Sequence, residues 1–247
     1  MRPLVILQAR MSSKRFPGKV LQDLFGKPMI IRQISRIQSA KKIGKIVVAT
    51  TRHKDDDLLV STLLENGIDF YRGATDDVMS RYVEVIREFQ ANTVVRLTAD
   101  CPLVMPELLD SMIEVFSRNN WDYLSNTIFP TYPDGLDIEI FSAKSLINLH
   151  SMKLTNPEKE HVTLGFHNRK TEFNLQNYRS NLDYSNLRWT VDYPEDLEFI
   201  RKVYSKFQDR MNLFEFDEVL HLIRENPGMQ SIIPASLRNE SLPKNLK

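Results

Sequence analysis

One cysteine, Cys101, stands among 247 residues. That excludes an intrachain disulfide and any zinc site built from several thiolates, and a reducing cytoplasm is the expected setting. No apolar run approaches the roughly 20 residues that cross a bilayer. The start, Met1-Arg2-Pro3-Leu4-Val5-Ile6-Leu7-Gln8, lacks a long signal-peptide core and reads as an immediate first strand. Glycine is sparse, and neither the Gly-x-x-x-x-Gly-Lys-Ser/Thr of a P-loop nor the three-glycine dinucleotide fingerprint occurs. Acid is nearly missing from the first fifth: residues 1–50 hold eleven Lys/Arg against Asp23 alone, in a chain whose net charge is +1. Such a segment can hold a polyanion, either a triphosphate or nucleic acid. The overall balance, and the lack of a zinc finger, RNP pair or basic helix, speak against nucleic acid.

What is present suits a soluble globular α/β protein, with 42% hydrophobic and 26% charged residues. A continuous apolar run at 3–7 predicts a strand buried on both faces, and 45–50, 68–71 and 93–97 supply three further strands. Between them, helical periodicity predicts helices over 30–37, 58–64 and 77–89, with Pro28 opening the first and Gly67 stopping the second. This alternation implies right-handed crossovers and a mainly parallel central sheet. Pro106 opens a further helix that ends near Arg118. After residue 120 the rhythm changes to a mixed region with strands at 123–124, 136–141 and 173–178. Ser142 caps a helix through Leu149 there, and another helix covers Glu158 to Phe166. Residues 187–192 read as a return into the core sheet, followed by helices from Pro194 and over 216–225. The tail from Asn226 has little periodicity and is expected to drape over the surface or meet another subunit. A single domain over 1–247 is the simplest organisation, with about 122–180 as a subregion of its own.

Arg10, Lys14, Arg15 and Lys19 cluster just after the first buried strand. Ligands of open α/β sheets bind beyond the carboxyl ends of the strands, where this loop must lie. Arginine grips phosphate oxygens bidentately, lysine supplies a compact charge, and Ser12, Ser13 and Gly18 let backbone N–H groups approach an anion. A solvated basic loop is the competing reading. Arg10 and Lys19 are the sharper candidates, because each adjoins a structured flank.

Asp100, in Leu97-Thr98-Ala99-Asp100-Cys101-Pro102, and Asp192, in Trp189-Thr190-Val191-Asp192-Tyr193-Pro194, both follow apolar stretches. Two carboxylates at strand ends can hold Mg²⁺, with water and phosphate oxygens completing its shell. Either aspartate alone could instead cap a helix.

These three segments resemble the cytidylyltransferases that activate sugar acids. That family includes 3-deoxy-manno-octulosonate cytidylyltransferase and the CMP-nonulosonate synthetases, and the likeness extends in particular to the branch called spore coat polysaccharide biosynthesis protein F. It rests on Gln8-Ala9-Arg10-Met11-Ser12-Ser13-Lys14-Arg15-Phe16-Pro17-Gly18-Lys19, on Leu97 to Leu103, and on Val191-Asp192-Tyr193-Pro194-Glu195-Asp196-Leu197. The resemblance implies a nucleotide-diphospho-sugar transferase (GT-A-like) fold, whose mixed insertion binds the acceptor and forms a dimer. It implies a Mg²⁺-dependent transfer, with CTP as co-substrate and a sugar acid or related sugar as acceptor. It further implies catalytic roles for Arg10, Lys19, Asp100 and Asp192, with Asp100 and Asp192 as metal ligands. Leu7, Ala9, Arg10, Ser12, Ser13, Lys19, Ala49 and Thr50 would then border the nucleotide.

On the acceptor side, Pro133-Asp134-Gly135 is a turn signal followed by alternation that puts Asp137 and Glu139 on one strand face. These two, with Arg81 and His161, are the acceptor-binding candidates. Arg81 lies in Gly73-Ala74-Thr75-Asp76-Asp77-Val78-Met79-Ser80-Arg81-Tyr82, which resembles the family segment that closes over nucleotide and acceptor. This chain departs from the octulosonate enzymes at Met11 and in Thr75-Asp76-Asp77, which leaves its acceptor open. The rival readings are another sugar-phosphate nucleotidyltransferase, a GT-A-like glycosyltransferase, for which no compact Asp-x-Asp is present at Asp100, and a noncatalytic nucleotide-binding protein.

Overall fold

A computed structural model of the chain describes residues 2–232. The apolar runs form strands β1 (Leu4–Gln8), β2 (Ile46–Thr51), β3 (Asp69–Gly73), β4 (Thr93–Thr98), β5 (Tyr123–Ser125), β6 (Glu139–Ser142) and β7 (Leu175–Asn177). They join one sheet in the order β3-β2-β1-β4-β6-β5-β7. The first four pair in parallel, β6 runs against β4 and β5, and β7 lies parallel to β5. The helices are α1 (Met29–Ile37), α2 (Asp57–Glu65), α3 (Val78–Glu88), α4 (Pro106–Ser117), α5 (Ala143–Ser151), α6 (Asn156–Glu160), α7 (Leu164–Asn168), α8 (Pro194–Lys206) and α9 (Phe216–Glu225).

Alternation along β1 divides the core into two layers. Val5 and Leu7 pack with residues of α1, α4, α8 and α9, whereas Leu4 and Ile6 pack with α3, α5 and α7. A strand covered on both faces needs an unbroken apolar run, which is why β1 and β4 stand out in the sequence. From β1 the chain moves to β2 and β3 on one side and then to β4 on the other. The crevice beyond the carboxyl ends of β1 and β4 is therefore the topological switch point.

Four expectations need correction. Residues 187–192 are not a strand of the sheet; one bridge joins Arg188 to Asp134, and the segment then crosses the strand ends. Trp189, Thr190 and Val191 are buried at 1%, 7% and 0% exposure, so the apolar stretch reported burial and not a ladder. The strand expected from Leu136 begins only at Glu139, because the Asn126 amide takes the Leu136 carbonyl (2.7 Å) and the Ile138 N–H (2.9 Å). Asp137 accordingly lies in a loop before β6 and does not share a strand face with Glu139. The helix expected over Glu158 to Phe166 is two short helices, interrupted where Val162 takes φ 23°. Of the tail, residues 227–232 form a 3-10 segment against α8, with Met229 buried. The rest of that expectation, from residue 233, lies outside the described residues. The 122–180 region supplies β5 to β7 and α5 to α7, and extends the same sheet.

Candidate active site

The basic loop leaves β1 and is folded back on itself. The Ser13 and Gly18 N–H groups both donate to the Met11 carbonyl (2.9 Å each), and Met11 N–H donates to Asp56 Oδ1 (2.7 Å). Asp56, 1% exposed, also accepts from the Thr51 N–H (3.1 Å), so a buried carboxylate ties the loop to the end of β2. Gly18 has φ +72°, a left-handed turn that glycine adopts without a Cβ penalty. The turn leads into a 3-10 segment (Lys19–Leu21), and buried Val20 and Leu24 anchor the stretch that runs on toward α1. Arg10 and Lys14 remain exposed, whereas Lys19 is driven inward to 8% exposure.

The Lys19 ammonium lies between the two predicted aspartates. Its Nζ donates to Asp100 Oδ2 (3.1 Å), Asp192 Oδ1 (3.0 Å) and the Val191 carbonyl (2.6 Å). Burial works against all three charges, and their mutual attraction wins. Burial alone would raise Asp100, but Lys19 and hydrogen bonds from Thr98 and Cys101 bring it from its ordinary 3.8 down to about 2. Asp192 is lowered despite its burial, chiefly by Lys19, and the Lys19 ammonium is held up by the two carboxylates against its own desolvation. Neither aspartate caps a helix. At the start of α8 the Asp196 carboxylate accepts the N–H groups of Asp192 (2.7 Å) and Tyr193 (2.9 Å), which leaves the Asp192 side chain to the site.

Arg10 is placed by the strand register. Gln8 pairs with Thr98 across β1 and β4, so Arg10 and Asp100 leave adjacent strand ends at matching positions. Ala49 pairs with Gln8 on the other side. Leu7, Ala9, Ala49 and Thr50 are all buried, so what they can present to a nucleotide is backbone, while Ser12 is exposed and Ser13 half-buried. Sequence reasoning ranks Arg15 below Lys19, yet its guanidinium reaches Asp192 Oδ1 (2.7 Å) and lies over the Tyr193 ring. It passes over Arg188 altogether. The fourfold spacing Arg188-x-x-x-Asp192 is the available signal, and Arg188 Nη2 does meet Asp192 Oδ2 (2.7 Å).

The acceptor candidates separate. Asp137 lies close enough to Cys101, the neighbour of Asp100, for its charge to help raise the buried thiol, behind burial and Asp100 itself. That protonated thiol is no nucleophile. Arg81 is 2% exposed and donates to its own loop's carbonyl at Ala74 (2.6 Å), bracing Gly73 to Thr75, where a Cβ on Gly73 would meet Arg81 Cγ at 2.7 Å. His161 is half-buried after α6, and burial followed by Arg96 keeps its pKa low against nearby carboxylates. Among the described residues there is no group of three or more His, Cys, Asp or Glu that could hold a metal ion.

Glu139 faces the interior and not an acceptor. It is 5% exposed, ion-paired to Arg96, and hydrogen-bonded to Thr163 and to Tyr123 Oη (2.6 Å). The strand order causes this, since β6 is flanked by β4 and β5. Burial would raise the Glu139 pKa, but Arg96 and the hydroxyls overcome it and lower it below the ordinary 4.5. A depressed carboxylate stabilises the fold above its ordinary value, and that contribution disappears as pH falls through the folded value. Glu139→Gln should strand the buried Arg96 charge at a cost of about 3–5 kcal/mol. Urea unfolding at pH 7 and pH 4 reads the result: the gap to wild type should narrow in acid. A rise in acceptor KM without any stability loss would return Glu139 to the acceptor side.

The two aspartates fit a divalent cation. Both aim at one point, where the Lys19 ammonium stands in for positive charge, and two carboxylates suit an ion that takes its remaining ligands from phosphate and water. Depressions of about 360 Å³ beside Gly44 and Asp69 and about 220 Å³ beside Tyr132 and Phe216 contain none of these converging groups. Chemistry locates this site better than cavity size.

A mainly parallel sheet carries a folded basic loop and the Lys19–Asp100–Asp192 cluster at its switch point, and the protein is a nucleotidyltransferase. A family model described as Cytidylyltransferase matches residues 4–220, and the chain belongs to that family. It is 33% identical to the spore coat polysaccharide biosynthesis protein SpsF of Bacillus subtilis (strain 168), over 91% of this chain and 95% of that protein. A solved cytidylyltransferase from Leptospira borgpetersenii serovar Hardjo-bovis superposes with TM-score 0.88 at 28% identity, covering 98% and 100% of the two chains. The CMP:2-keto-3-deoxy-manno-octonic acid synthetase complexed with CTP shares the fold, with TM-score 0.66 at 18% identity over 83% of this chain and 99% of that one. Among the described residues no helix is long and apolar enough to cross a membrane.

Proposed function

We propose that the chain transfers CMP from CTP to a sugar acid or related sugar, with Mg²⁺, releasing pyrophosphate for surface polysaccharide synthesis. The observation that carries this reading is the Lys19 ammonium shared by Asp100 and Asp192 beside the basic loop. CTP as co-substrate is further supported by the family and by the CTP complex of the structural relative.

Asp100 and Asp192 would hold the cation, which screens the triphosphate and steadies charge developing at the α-phosphorus. Arg10, Arg15 and the loop N–H groups would gather the β- and γ-phosphates, and Lys19 would turn from the carboxylates toward them. The acceptor hydroxyl oxygen forms its bond to the α-phosphorus and gives up its proton to water as the bond to the bridging oxygen breaks, and pyrophosphate leaves with that electron pair. Alignment and charge neutralisation supply the rate, and no covalent enzyme intermediate is needed. Asp137, near Cys101 and so near Asp100, would meet the acceptor. The same reading makes the chain a cytoplasmic homodimer of single-domain subunits. Exposed Phe129 within the mixed region and exposed Leu182 just beyond it are apolar side chains that a second copy would cover, and light scattering checks the mass of two chains.

Pyrophosphate release measured for CTP, UTP, GTP and ATP against sugar acids and sugar phosphates tests the function. CTP with a sugar acid should exceed every other pair by at least about tenfold, which corresponds to roughly 1.4 kcal/mol of discrimination. Transfer from a nucleotide sugar, or saturable CTP binding with no turnover on any acceptor, overturns it.

A further inference from the structure

We propose that Arg188 is a positioning residue: by tying one oxygen of Asp192 to the acceptor-side turn, it leaves the other oxygen facing the cation position. The idea rests on the nucleotidyltransferase reading above. An aspartate side chain has two soft torsions, so a ligand carboxylate left to itself presents either oxygen. Here Oδ2 of Asp192 is held by Arg188 Nη2 at 2.7 Å, while Oδ1 faces Lys19 and Arg15 at 3.0 and 2.7 Å. The other terminal nitrogen, Nη1, holds Asp134 Oδ2 at 2.8 Å. Arg188 and Asp134 have side chains only 10% and 15% exposed, so the fork is shielded from competing water.

The backbone repeats the same link. Asp134 N–H donates to the Leu187 carbonyl (2.9 Å), and Trp189 N–H donates back to the Asp134 carbonyl (2.5 Å). Gly135, at φ +106°, lies so close that a Cβ there would come within 2.5 Å of Thr190 N, and Asp137 follows two residues later. One planar fork thus joins the metal aspartate to the turn that launches the acceptor loop. Lysine cannot reproduce this, because a single ammonium cannot span both carboxylates in the same geometry. Outer partners of metal ligands typically change metal affinity or activity by about 10–100-fold when removed.

The test uses the full chain with CTP and Mn²⁺ as the probe cation, with free Mn²⁺ counted by electron paramagnetic resonance. Arg188→Gln should weaken CTP-dependent Mn²⁺ binding by about tenfold or more and raise acceptor KM. Arg188→Lys should recover only part of the binding. Asp134→Asn should raise acceptor KM while leaving Mn²⁺ binding within about twofold, since Asp192 keeps its own arm of the fork. Circular dichroism and unfolding midpoints confirm that each variant is folded; should Arg188→Gln not fold, the lysine and Asp134 variants still decide. Wild-type Mn²⁺ binding in both Arg188 variants overturns the proposal and leaves the function intact. If wild type binds Mn²⁺ no better than Asp100→Ala does, the function itself fails.

Discussion

Asp100→Asn lowers turnover by about 10³-fold while leaving CTP binding within an order of magnitude. Asparagine keeps the size of the side chain but removes a full negative charge from the place where the structure gathers positive charge. Lys19 holds the Asp100 carboxyl down at about 2, so on the proposed reading it acts as an anionic ligand and not as a proton carrier. Its removal should therefore depress the whole pH–rate profile without moving either limb. The magnitude comes from what a single preorganised charge-stabilising group supplies in a shielded site, about 10²–10³-fold, with added loss because the cation itself becomes poorly held. Steady-state pyrophosphate release from pH 6 to 9 at saturating and excess Mg²⁺ reads both quantities. Near-normal turnover, or recovery by excess Mg²⁺ alone, removes Asp100 from the role given to it.

Lys19→Met has a split signature. The methionine stem fills a similar volume without the charge, so turnover should fall about 10²-fold or more as phosphate neutralisation is lost. Divalent cation binding in the absence of nucleotide should do the opposite and tighten, by about tenfold, because an ammonium about 3 Å from both carboxylates no longer competes for them. Calorimetric titration with Mn²⁺ separates the two effects. Loss of both turnover and nucleotide-free cation binding would mean that Lys19 merely supports the local fold. Tightened binding with lost turnover would identify an ammonium that exchanges places with the metal during each cycle.

The sequence shows clearly those parts of the molecule that depend on runs of like residues. β1 and β4 are readable because both of their faces are buried, and Asp100 comes directly from its strand's end. A shared site for Lys19, Asp100 and Asp192 is expected from the family resemblance of their motifs, but the depth of Lys19 is not. Four basic residues look alike in a string, and only the Gly18 turn with the Val20 and Leu24 anchors selects which one is buried. Glu139 is misplaced because alternation gives the side of a strand without giving its neighbours, and Arg96 becomes its partner only through the adjacency of β4 and β6. Asp56 and Arg188 escape notice for a related reason. Met11 lies 45 residues from Asp56 and Asp134 lies 54 from Arg188, and no periodicity marks such long-range polar pairs; only the fourfold spacing of Arg188 to Asp192 leaves a trace in the sequence.

The adjacency of β4 and β6 also governs how new acceptor preferences can be built into this scaffold. Because the 122–180 region is laced into the sheet by a ladder from Thr93–Ser142 to Arg96–Glu139, it is not a detachable module. A chimera that imports another enzyme's acceptor half has to bring β5, β6 and β7 together with the side chain that answers Arg96. A junction in the loop before Tyr123 keeps that ladder whole, whereas one within Glu139–Ser142 cuts a strand from its partners β4 and β5.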